Sequence, residues 1–96
     1  MNHEKMVMRS LVSLAIEKGL LEISKPALDK ITEYLKENYN CQIQDCYDHP
    51  EYLSTSLEHI FGKGGISISN SIKTCLEEYN YDNKIALLIK TMKIQK

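Results

Sequence analysis

Cys46-Tyr47-Asp48-His49-Pro50-Glu51-Tyr52-Leu53 opens a stretch that closes on Phe61-Gly62-Lys63-Gly64-Gly65 and restarts by Ile72. Its grammar is that of one short helix between a start signal and a stop signal. Asp48-His49-Pro50-Glu51 has the form of a capping box, in which Asp48 accepts from first-turn amides and Glu51 reaches back. Pro50 suits the first turn, where its missing donor is not needed. Tyr52 or Leu53, Leu57, Ile60 and Phe61 then recur at helical spacing, and Gly62 is suited to the left-handed residue that follows many helices. Gly64 and Gly65 predict a loose turn, with the next helix starting at Ser67 or Ser69.

Upstream, Val7 or Met8, Leu11, Leu14, Ala15 and Lys18 are spaced by threes and fours, which predicts an amphipathic helix ending near Gly19. Leu20, Leu21 and Ile23 read as an apolar connector. Ser24 and Pro26 provide an N-cap and a first-turn proline for a second helix. Its inward stripe is Ala27, Leu28, Ile31, Tyr34 and Leu35, and it runs out near Asn38 to Asn40. The period breaks from Cys41 to Tyr47, giving an extended link or one helical turn.

Downstream, the fourth helix buries Ile68, Ile72, Cys75, Leu76 and Tyr79. Asn80-Tyr81-Asp82-Asn83 marks a break, after which Ile85, Leu88, Ile89 and Met92 form a displaced fifth stripe. The expected architecture is an all-α bundle of four to five short helices, with little or no strand, in a single domain over residues 1–96. No heptad pattern long enough for an extended coiled coil is present.

Composition sets the outer bounds. Ninety-six residues, 26% charged and with a formal net charge of −1, fit one modest globular core. That balance argues against bulk phosphate neutralisation as the main activity. Charge is unevenly spread: residues 41–82 carry two Lys against seven acids, whereas residues 83–96 carry four Lys and no acid. The tail therefore packs beside the acidic middle, is solvated, or meets an acidic partner. Three Cys and an N-terminus without an unbroken apolar signal segment lead to a reducing, cytoplasmic setting. Ile85 to Ile89 is far short of the ~20 apolar residues that span a bilayer.

Three constellations carry potential chemistry. Cys41, Cys46, His49 and His59 supply the ligand types of a zinc site, but their spacing is irregular and lacks a C-x2-C pair. The simpler reading makes the cysteines small hydrophobes and the histidines helix-end residues. No thiol–imidazole pair among them is matched by an evident oxyanion donor set. Lys63, Gly64, Gly65 and Ser67 invite comparison with a phosphate cradle at a helix N-terminus, although the lysine precedes the last glycines and no strand leads in. Lys84, Ile85, Leu88, Ile89, Met92 and Lys93 have the form of a basic amphipathic helix, which either packs on its own domain or presents an interaction surface.

Asp45-Cys46-Tyr47-Asp48-His49-Pro50-Glu51-Tyr52-Leu53, followed by Leu57, Ile60-Phe61-Gly62 and the helical start at Ile68 and Ile72, resembles a family of small archaeal modules described as nitrosopumilus-type output domains. The similarity covers roughly residues 5 to 80 and leaves the basic tail outside. Such domains are found at the ends of signalling and regulatory proteins, so the resemblance implies a regulatory module and carries over no catalytic residue. The expectation is a non-enzymatic protein-interaction module without cofactor, whose partner is another protein or a second copy through the C-terminal helix. Nucleic acid is the disfavoured alternative, because helix four offers only Lys73 before Glu77 and Glu78.

Overall fold

A computed structural model describes residues 2–93, with side chains described for residues 5–92. Five helices make up the fold: α1 (Asn2–Leu21), α2 (Lys25–Tyr39), α3 (Pro50–Phe61), α4 (Gly65–Leu76) and α5 (Asn83–Lys93). Short 3₁₀ turns over Ile43–Tyr47, Gly62–Gly64 and Glu77–Tyr79 join them, and no strand occurs among the described residues. A Cα radius of gyration of 12.1 Å matches the roughly 12.5 Å expected for a single compact domain of this length.

Several boundaries follow from named residues. Ser24 is extended and its hydroxyl accepts from the Ala27 amide at 3.2 Å, capping α2, whose first turn holds Pro26. Asn40 closes α2 at φ 52°, ψ 44°, its amide bonding the Leu35 and Lys36 carbonyls. Gly62 takes φ +56° after α3, a backbone that L side chains rarely adopt. The break before α5 is real. The Asp82 carboxylate accepts from the amides of Lys84 (2.9 Å) and Ile85 (3.1 Å), which otherwise lack intrahelical partners.

Three local expectations are corrected. Asp48 does not cap α3: His49 takes the N-cap position without a side-chain bond to the first turn, and the Asp48 carboxylate turns to Lys84 and Lys5. Helix α4 begins at Gly65 rather than at Ser67 or Ser69, because the Gly62–Gly64 turn feeds directly into it. Gly65 packs tightly there, since a Cβ on it would lie 3.1 Å from the Leu57 carbonyl oxygen.

The third correction concerns α1. It runs on to Leu21, and Gly19 lies buried inside it where α1 meets Ile72 of α4. Its buried face is Met8, Val12, Ala15, Ile16 and Leu20, whereas Leu14 is 63% and Val7 55% exposed. Inward stripes elsewhere lie close to the pattern. Ala27, Ile31 and Leu35 of α2, Leu53 and Leu57 of α3, and Ile68, Ile72 and Leu76 of α4 are buried with Ile85, Leu88, Ile89 and Met92 of α5. Leu28, Tyr34, Ile60, Phe61, Cys75 and Tyr79 are half-buried around them.

Candidate interaction surface

Helix α1 is apolar on two sides. One side enters the core; the other carries Val7, Leu14 and Leu21, each at least half exposed, in a row at intervals of seven residues. Exposed Met6 and Ile23 flank its ends, and exposed Ser10 and Lys18 lie between its members. Leu14, Glu17, Lys18, Leu21 and Glu22 enclose a shallow hollow of about 370 Å³ on this face. Single exposed hydrophobes are ordinary, but three aligned on one helix face outline a candidate contact surface. The helical spacing places Leu14 inside and leaves Val7 or Met8 open; Met8 is the buried one of that pair. The signal for the outer row was present as the Val7, Leu14, Leu21 repeat.

The C-terminal helix is a different case. Ile85 and Leu88 are fully buried, and Ile89 and Met92 are 8% and 3% exposed, so all four belong to the domain's own core. As an interaction surface this stripe is corrected, because a face already packed on α3 and α4 is not available to a partner. Lys84 completes the attachment: its ammonium lies 2.5 Å from Asp48 Oδ1 and 5.5 Å from the Tyr47 ring centroid. The side chain of Lys93 lies outside the described residues.

A polar clasp therefore ties α1 and α5 to the Ile43–Tyr47 turn. Arg9 on α1 pairs with Asp45, which also accepts from the Gln42 amide at 2.8 Å. Lys5 approaches Asp48 at 3.7 Å. The Tyr47 hydroxyl donates to the Asp82 carboxylate at 2.9 Å, linking the turn to the cap of α5. Part of the excess positive charge of the tail thus meets the acidic middle within the fold.

The hydrogen bond from Lys84 is the largest influence on the Asp48 carboxyl; burial opposes it, and the charges of Lys84, Lys5 and Arg9 add to it, so the carboxyl is held below its usual range. A carboxylate with a depressed folded-state pKa contributes stability above its unfolded value near pH 4, and that stability is lost as pH falls through the folded value. Thermal melts at pH 7 and pH 2.5 should accordingly show a smaller acid-induced drop for Asp48→Asn than for the wild type. An equal drop in both would contradict the pairing.

The zinc candidates do not converge. Among the described residues, no group of three or more His, Cys, Asp or Glu side chains is placed to hold a metal ion. His49 precedes α3 and His59 sits near its end, about 15 Å apart at the helical rise. Each histidine instead joins a run of rings along the α2–α3 seam. His49 stacks on Tyr52 (centroids 4.6 Å), Tyr52 on Tyr39 (4.0 Å, interplanar 6°), and His59 leans on Tyr34 (4.9 Å).

Cys46 is fully buried, and burial, reinforced by Cys41, Asp45 and Glu51, pushes its thiol far above the ordinary range. Burial and then Asp45 push Cys41 up as well. Burial thus disfavours the thiolate at both positions. Cys41 borders an open cleft of about 630 Å³ between α1, α2 and the link after α2, where Glu17, Asp29 and Asp45 outnumber Lys36.

Of the candidate phosphate cradle, the Gly65 amide is already engaged within the turn. The Gly65 amide bonds back to the Gly62 and Lys63 carbonyls, and Gly65 is buried against Leu57. Lys63, Gly64 and Ser67 are exposed around a turn that leads straight from α3 into α4. No helix among the described residues is long and apolar enough to cross a membrane. Comparison with protein families, with characterised proteins and with solved structures finds no match for this chain.

Proposed function

We propose that this protein is a non-enzymatic helical interaction module, acting in signalling or regulation by docking a protein partner on the outer face of α1. The observation that carries this reading is the exposed row Val7, Leu14 and Leu21 on a helix whose opposite face already completes the core. A regulatory setting is what the output-domain resemblance implies. Cys46 is fully buried and His49 and His59 are taken up by tyrosine rings, which supports reading this module through its surface. Nucleic-acid binding has weaker support, since α4 carries only Lys73 and that side chain is half-buried.

Affinity capture from lysate of the source cells, with the intact protein and Leu14→Glu compared side by side, tests the docking face. Proteins retained by the wild type should be lost from the variant, because one buried charge against an apolar partner costs several kcal/mol. Identical sets on both would refute the outer face of α1 as the docking surface. A folded variant is expected, since Leu14 makes little of the core.

A further inference from the structure

We infer that the outer face of α1 pairs with the same face of a second copy, as two antiparallel helices; this rests on the docking reading above and names its occupant. Leu14, Glu17, Lys18 and Leu21, which line the exposed hollow, stand at i, i+3, i+4 and i+7. Those four positions form the hole that receives one apolar knob from a facing helix. A row repeating every seven residues drifts only ~20° per heptad on a straight helix, so two heptads stay on one seam.

The row is complementary to itself. With a two-fold axis crossing between residues 12 and 13, Val7 of each copy enters the Leu14, Glu17, Lys18, Leu21 hollow of the other. Leu14 of each then lies over Val7, Ser10, Leu11 and Leu14 of the other, so the two holes and two knobs exchange symmetrically. No register slip is needed to match apolar to apolar at the centre.

Charge selects the direction. Parallel helices would set Lys18 against Lys18 in the seam, a like-charge contact. The antiparallel arrangement separates these lysines by about 16 Å along the axis, from eleven residues at the helical rise, beyond the screening length of physiological salt. Each Lys18 then lays its aliphatic stem over Val7 with the ammonium in water. Opposed helix dipoles favour the same direction.

Size sets the strength. Twenty residues give a strip about 30 Å long and about 12 Å wide, or on the order of 700 Å² buried by the two copies together. That is the class of weak, reversible encounters rather than obligate dimers. The complete core within each chain is consistent with a folded monomer.

Sedimentation equilibrium on the intact chain, from roughly 10 µM to roughly 1 mM, tests the inference. The wild-type mass should rise from 11.1 kDa toward twice that value. Leu14→Glu should remain at the single-chain mass with an unchanged far-ultraviolet spectrum, and Lys18→Leu should move the midpoint several-fold lower in concentration. A wild type that stays monomeric throughout, or a Leu14→Glu variant that associates equally well, overturns the second copy as occupant. The docking face itself is judged separately, by Leu14-dependent capture: its persistence in a monomeric protein would indicate a different partner chemistry on the same face.

Discussion

Leu88→Ala is expected to lower the unfolding free energy by about 2–5 kcal/mol, the range for truncating a fully buried leucine. Leu88 has no exposed surface, and α5 packs on both α3 and α4. The neighbours cannot collapse fully into the vacated space, so a cavity cost adds to the lost transfer energy. In a domain whose whole stability is about 5–15 kcal/mol, the effect should shift the melting temperature by roughly 10 °C or more. Urea or thermal denaturation followed by circular dichroism measures it. An outward docking residue would move stability by only about 0.5 kcal/mol or less, and that outcome would return the C-terminal helix to the surface.

Gly19→Val should have the second large effect, and its sign is the informative part. In an open helix, replacing glycine normally stabilises, since glycine loses the most backbone freedom on folding. Here a Cβ would stand 2.8 Å from Ile72 Cγ1, closer than real side chains approach, and valine adds two further methyl groups. Overpacking of this kind costs about 1–3 kcal/mol or more, because α1 must lift from α4 or Ile72 must leave its rotamer. Chemical denaturation of Gly19→Val, Ile72→Ala and the double variant completes a cycle in which a coupling of roughly 0.5–3 kcal/mol is expected. Additive losses would mean that the α1–α4 crossing does not depend on this contact.

Both substitutions probe places where local sequence grammar and tertiary structure part company. Ser24, Pro26, Pro50 and Gly62 are legible because each acts within three residues of its own position, through a cap, a fixed φ or a positive φ. Asp48 departs from its local grammar for the converse reason. The form of a capping box is present, yet Lys84, thirty-six residues away, takes the carboxylate, and sequence spacing carries no sign of that meeting. The glycine-rich turn looks loose in sequence, whereas Gly65 lies in tight approach to the Leu57 backbone.

Helix α1 was ambiguous by its nature. Met8, Val12, Ala15, Ile16 and Leu20 form one apolar stripe, and Val7, Leu14 and Leu21 form another with Leu11 between them. Both satisfy helical periodicity, so period alone cannot choose the buried one. Burial is decided by what lies opposite, namely α4 and the Ile43–Tyr47 turn. The candidate site is hidden by the same ambiguity: Leu14 reads as inward, Val7 as an alternative to Met8, and Leu21 as part of a connector. Conversely, the C-terminal stripe was legible as amphipathic, and its burial follows from the partners that α3 and α4 present.

Site-specific photo-cross-linking is the most direct test of α1 as a helix with one face for the fold and one for a partner. A benzophenone side chain at position 14 of the full chain would be compared with the same group at position 30, on the exposed polar side of α2. Position 14 should give abundant protein adducts, with cross-links in the purified chain at high concentration mapping to α1 of a second copy. Adducts from position 14 no more abundant than from position 30, in both the purified chain and lysate, would contradict the account.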